Sequence, residues 1–257
     1  MVAARNSVVA RRIGGSTVLS EARATSPLRL VSPRFAGTSS ACVCLVTFGG
    51  GLLDGDAIDV SLSVEEGATL VAFTQASTKV FRGAARQTLT ADVRGTLVFL
   101  PHAVSCFEGA RYTQRIDVRL AGGGSCVLLD AFTSGRPAYG ERWAMEALDL
   151  CTTVRRDDRT LVRDGLVLDE DVAARASPYD AFGTLVAIGP AARAVADGVL
   201  ASPVVSAGLV AAPSSLACGE GAICRIAART PEALFAEARR RLRNLPDIDA
   251  VDPFPPS

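Results

Sequence analysis

Residues 58–73 read IDVSLSVEEGATLVAF, and two later segments follow the same grammar. Ile58, Val60, Leu62 and Val64 alternate with polar residues, the period of a half-buried strand. Glu66-Gly67 turns, and ATLVAF (68–73) is a second, apolar strand. The pattern returns as LTADVRGTLVFL (89–100) and again as IDVRLAGGGSCVLL (116–129). Gly67, Gly95 and Gly123 stand 28 residues apart. A fixed period in this range predicts stacked units, each a strand, a glycine turn, a strand and a loop. Consecutive hairpins of an ordinary sandwich are the alternative.

The same period places the loops. Lys79, Glu108 and Arg136 lie 29 and 28 residues apart. If the units stack, TQASTKVFRG (74–83), PHAVSCFEGAR (101–111) and TSGRPAYGE (133–141) emerge on one edge, where a rigid scaffold usually carries function. Lys79 is the only lysine. Lys79 and Arg82 are expected to lock that edge by pairing with Glu108 or Glu141, or with a partner's carboxylates.

Around the repeat, SVVARRI (7–13), Gly14-Gly15 and STVL (16–19) predict a hairpin rather than a transit peptide. Residues 28–46 add short strands. Residues 142–150 and 159–168 read as strands flanking RRDD (155–158). Strands follow at 182–188 and 222–228, with a short helix at 190–200 between them. Thr230-Pro231-Glu232 opens a last helix running to about Asn244, with Leu234, Phe235, Ala238 and Leu242 on its apolar face. The fold expected is mainly β, with stacked, solenoid-like sheets and two short α-helices toward the C-terminus. It forms a single domain over residues 1–250, before a disordered proline-rich tail at 251–257.

Composition narrows function. Formal net charge is zero, so nothing points to nucleic acid or an anionic membrane. No apolar run reaches the ~18–20 residues of a bilayer crossing. The seven cysteines form no C-x-x-C pair, which fits a reduced, cytoplasmic protein with mostly buried thiols. Lys79 lacks the glycines of a P-loop. His102 is the only histidine, which excludes His-rich metal sites, and its expected state is a ring hydrogen-bonded locally in a loop. Residues 54–65 match an EF-hand loop at three acids, but Asp59 occupies the position that needs glycine, so Asp54-Gly55-Asp56 reads as a turn. Cys42 and Cys44 share a face as small buried side chains. Asp130, Glu108 and Glu141 lie near the loops without a nucleophile–base set, so an enzyme is not expected.

Four strings, SPLRLVSP (26–33), FGGGLLDGDAIDVSLSVEEGATLVAFTQASTKVFRG (48–83), LPHAVSCFEGARY (100–112) and GRPAYGE (135–141), together resemble the urease accessory protein D family, called H in some bacteria. CRIAARTPEALFAEARRRLRN (224–244) resembles that family's closing strand and helix. Asp54 departs from the family's usual glycine, and His102-Ala103 from its frequent Gln-Glu. The resemblance implies a stacked β fold and a non-catalytic scaffold that binds apo-urease and the F and G accessory proteins, G being a GTPase. It implies no stably bound cofactor, and Ni²⁺ held transiently in the assembled complex. The partner or loop-edge motif would be Thr78, Lys79, Arg82, Glu108, Gly109, Arg111, Gly135, Arg136, Gly140 and Glu141, with Asp56 and Glu141 as candidates for a weak nickel path. Rival readings are a repeat β-module with another partner and a hydrolase using loop carboxylates. A broad Ala/Val/Leu surface predicts poor solubility without the F partner.

Overall fold

The computed structural model describes residues 6–169 and 171–246. The expected tail at 251–257 lies outside them. The chain opens with the hairpin β1 (Asn6–Ile13) and β2 (Ser16–Arg23), turning at Gly14-Gly15 as expected. Strands β3 (Leu28–Val31) and β4 (Ala41–Thr47) follow.

Three coils come next. The first is β5 (Ala57–Val64), β6 (Thr69–Thr74) and β7 (Thr78–Val80). The second is β8 (Gly83–Val93), β9 (Thr96–Leu100) and β10 (Val104–Cys106). The third is β11 (Ala110–Leu120), β12 (Ser125–Thr133) and β13 (Gly135–Arg136). Strands β5, β8 and β11 pair in parallel, as do β6, β9 and β12. The solenoid reading therefore holds and the sandwich of hairpins does not. The loops contain a third short strand, so each coil has two broad faces and an edge.

The exact spacing is corrected by the register. Thr69 pairs Thr96, and Thr96 pairs Ser125. The stacked turn positions are thus Ala68, Gly95 and Gly124, not Gly67, Gly95 and Gly123. Gly95 and Gly124 are needed for close approach between rungs. A Cβ on Gly95 would lie 2.2 Å from the Ala68 carbonyl oxygen, and one on Gly124 2.3 Å from that of Val93. A Cβ on Gly123 would meet nothing within 4 Å. Gly95→Ala is therefore expected to cost about 1–3 kcal/mol, the usual scale of overpacking, and Gly123→Ala almost nothing. Urea-denaturation midpoints of the two variants check this.

The chain then forms β14 (Glu141–Arg142), β15 (Ala147–Arg156) and β16 (Arg159–Leu168). The expected strand at 142–150 starts five residues later, because Trp143 takes a left-handed φ of 57°. Its far end runs through Arg155 and Arg156 and turns at Asp157-Asp158. The remainder is α1 (Val172–Ala176), β17 (Ala181–Ile188), α2 (Arg193–Val199), β18 (Val204–Val205), β19 (Leu209–Ser215), β20 (Gly221–Ala228) and α3 (Pro231–Leu242). The two helices expected are α2 and α3; the five-residue α1 and strands β18 and β19 were not foreseen. Thr230 Oγ1 accepts the Ala233 N–H at 3.2 Å, capping α3 as its sequence predicts.

Two large sheets result, ordered β16-β15-β11-β8-β5-β1-β2 and β18-β19-β20-β17-β12-β9-β6-β4-β3. Their facing sides enclose one core, built by Leu62, Val118, Leu70, Leu97 and Leu128 among others. The second sheet's outer side carries another core, under α2 and α3, with Val127, Leu185, Val195 and Leu242. Each fully buried aliphatic side chain contributes roughly 1.5–3 kcal/mol. Among the described residues no helix is long and apolar enough to cross a membrane.

Candidate functional site

The three expected loops do stack. Thr78-Lys79-Val80 pairs in parallel with Val104-Ser105-Cys106, which in turn pairs with Phe132-Thr133. A fourth rung precedes them, because Leu52 bridges Val80, with Leu52 N–H donating to Lys79 O at 2.7 Å. The edge thus runs from residues 48–53 through 78–83 and 104–111 to 133–142.

One residue beyond this bridge, the register puts Leu53, Phe81 and Phe107 side by side. The Phe81 and Phe107 rings meet edge to face at 5.2 Å. Arg136 lies over Phe107 at 4.0 Å and over Tyr139 at 5.4 Å, a geometry in which the guanidinium gains from the ring quadrupoles. Its fork also holds Glu141 at 3.0 and 2.5 Å, and the Glu108 backbone N–H donates to the same carboxylate. These bonds, led by Arg136, hold the Glu141 carboxyl below its usual range.

Arg82 pairs Glu108 at 3.4 Å, with both side chains exposed. It lies across Gly109, where a Cβ would sit 3.0 Å from its guanidinium. Arg111 pairs Glu146 at 3.0 Å. Lys79 pairs with neither Glu108 nor Glu141: among the described residues its ammonium makes no ion pair, which leaves a partner's carboxylate of the two expectations. Arg136 occupies both Glu141 oxygens, Arg82 takes Glu108, and the neighbours of Lys79 on the ladder are Gly51 and Ser105. Thr78 is buried, and Gly135 and Gly140 take left-handed φ of 98° and 78° that turn the last loop.

Beneath the edge lies a cavity of about 180 Å³. Its inner wall comes from both sheets, including Val60, Leu89 and Phe99, and its outer end is formed by residues 74–79 and the nearby Gly50. Polar groups interrupt the apolar wall. Gln87 and Gln114 occupy neighbouring rungs at an inward position, and Asp130 faces them from β12. Gln114 Nε2 donates to Asp130 Oδ1 at 2.8 Å, and Thr152 Oγ1 to Asp130 Oδ2 at 2.9 Å. Tyr112 Oη lies 2.5 Å from Gln87 Oε1 and 3.1 Å from Gln114 Oε1. Tyr112 has one proton, and Gln114 turns its nitrogen to Asp130. At 2.5 Å the Tyr112 hydroxyl donates to Gln87 Oε1, the length of an O–H···O bond.

Burial raises the Asp130 pKa; bonds from Thr152 and Gln114 oppose this, and Asp164 adds to the rise. Asp130 retains some accessible surface despite its depth, because that surface faces the cavity.

A family model described as UreD urease accessory protein matches residues 3–249. Urease accessory protein UreD of Sorangium cellulosum (strain So ce56) is 42% identical over 257 residues, spanning 96% of this chain and 82% of that protein. The chain belongs to the UreD urease accessory protein family. Urease accessory protein UreD of Anaeromyxobacter sp. (strain Fw109-5) is 38% identical, over 95% of this chain and 86% of that protein. Urease accessory protein D of Arabidopsis thaliana is 32% identical, over 72% and 68%.

The remaining candidates of this UreD family member are tied up locally. Asp56 Oδ2 accepts the Leu53 N–H at 2.7 Å, a bond within the turn, and Asp54 Oδ1 accepts the Ala84 N–H of the next coil at 2.8 Å. The His102 N–H donates to Thr74 Oγ1, and its Nδ1 lies 2.9 Å from Thr74 O, one coil away. Burial lowers its pKa, and the bond to the Thr74 backbone opposes this. None of the seven cysteines forms a disulfide, and five are buried, Cys42 and Cys44 among them. Burial pushes the Cys106 and Cys126 thiols up to about 12. Sequence reasoning missed the interior polar set. Its signal was present: Gln87 and Gln114 each interrupt an apolar alternation, at the same phase of successive coils.

Proposed function

We propose that this chain is a non-catalytic scaffold for urease maturation in the cytoplasm. It binds apo-urease and the F and G accessory proteins and helps deliver Ni²⁺ to the urease active site. Nickel is cargo in this reading, not a resident cofactor. The observation that carries the reading is a stacked loop edge with a cavity behind it, whose apolar wall Gln87, Gln114 and Asp130 interrupt, in a member of this family.

A protein that passes nickel onward has to hold it weakly. Imidazole and thiolate bind Ni²⁺ firmly, whereas carboxylate, amide oxygen and water release divalent ions more readily. The cavity offers Asp130 and amide oxygen, while the buried thiols stay protonated and poor as ligands. Asp130 lines the cavity, whereas Asp56 and Glu141 stand outside its lining and serve the path by holding the loops in place.

Co-expression with the F and G proteins and apo-urease tests the scaffold. The expected result is a complex that co-purifies, and loss of urease activation when the chain is omitted. No complex, with activation intact, would leave a repeat β-module with a different partner.

A further inference from the structure

The strip Leu53–Phe81–Phe107–Arg136–Tyr139 has the make-up of a protein interface. Leu53 is 57% exposed and Tyr139 78%. Phe48, in the turn that precedes Leu52, is 52% exposed. Phe107 is buried and Phe81 half-buried, their rings edge to face, so the apolar side chains that the strip leaves exposed are Leu53, Phe48 and Tyr139. Aromatic residues and arginine are the side chains enriched at interface centres.

Charge selects the occupant. Glu108 and Glu141 are each matched by an arginine, at Arg82 and Arg136. Lys79 stands exposed beside them with no carboxylate paired to it among the described residues, while Asp54 and Asp56, next to Leu53, are held by backbone N–H groups. Lys79 also lines the outer end of the cavity. We infer that this strip docks a protein segment carrying an Asp or Glu flanked by apolar side chains. The carboxylate pairs with Lys79, and the apolar flanks cover Leu53 and Tyr139. A segment seated this way covers the outer end of the cavity. The inference rests on the scaffold reading and names the chemistry of the surface that a partner presents.

The unique lysine makes the test direct. The full chain is assembled with apo-urease and the F and G proteins, then treated with a zero-length carbodiimide, which joins an amine to a carboxylate in contact. Mass spectrometry is expected to find Lys79 joined to an Asp or Glu of one partner, with apolar residues next to it. Lys79→Arg should lose the adduct and keep the complex. Lys79→Glu should reduce the retained partner about tenfold, with added salt weakening the wild type toward the same level. Tyr139→Ala should weaken retention several-fold. Both side chains are exposed, so the melting temperatures of the three variants should match the wild type, and a matched melt separates lost docking from lost folding. A complex that forms with no Lys79 adduct, and that Lys79→Glu leaves intact, overturns the docking site while the scaffold reading stands. Absence of any complex with the wild type overturns the scaffold reading itself.

Discussion

Arg241→Ala is expected to lower stability by about 3–5 kcal/mol, the scale of breaking a buried ion pair from one side. Arg241 is fully buried. Its Nε donates to Glu237 at 2.7 Å, its Nη1 to Val199 O at 2.6 Å and Ala201 O at 3.1 Å, and its Nη2 to Ser202 O at 3.2 Å. Those carbonyls lie at and beyond the C-terminal end of α2, where helix geometry leaves acceptors without partners. One side chain therefore fastens α3 to α2. Burial pushes the Glu237 carboxyl up, but bonds from Arg240 and Arg241 reverse this and hold it below its usual range. Removing Arg241 leaves Glu237 with Arg240 alone and exposes three carbonyls to an apolar gap. Urea denaturation should show the loss. Pairing the change with Glu237→Gln should recover part of it, because no buried charge is then left behind.

Asp130→Asn is expected to do the opposite to stability while damaging function. Burial raises the folded pKa of Asp130 above its unfolded value. Such a group stabilises fully below the unfolded pKa, and that contribution is lost as pH rises through the folded pKa. At pH 7 the charged form is thus a cost, which asparagine removes while keeping partners for Gln114 and Thr152. The melting temperature should rise by roughly 2–4 °C, the shift of about 1 kcal/mol in a chain of this size. The gain should shrink as pH falls toward 4. Urease activation should fall about tenfold or more, the scale seen when a group around a metal is removed. A variant less stable than the wild type at pH 7, with activation unchanged, would make Asp130 a structural residue only.

The repeat was legible because alternation and glycine turns are local signals. Ile58–Val64, Leu89–Val93 and Ile116–Leu120 each announce one inward face, and three such faces at a fixed period leave few folds. The loops were placed on one edge by the same arithmetic. What was not legible depended on which atoms meet across coils. The true rungs at Ala68, Gly95 and Gly124 differ by one residue from the regular glycine spacing, since each turn has its own shape. Lys79 was expected to pair with Glu108, Glu141 or a partner's carboxylate, and within the chain the parallel register sets it between Gly51 and Ser105, away from the first two. Arg241 looked like one of several arginines at a helix end, and its position beside Leu234, Glu237 and Ala238 on the buried face decides otherwise. Asp130 was visible only as an acid near the loops, because its partners come from β11 and β15, up to 22 residues away.

The scaffold account is tested most directly by the nickel content of urease itself. Apo-urease is incubated with the F and G proteins, GTP and Ni²⁺, with and without this chain, and then stripped of loosely held metal and assayed. Urease that gains nickel and activity only when the chain is present is the predicted result. Equal nickel loading and equal activity in its absence would contradict it.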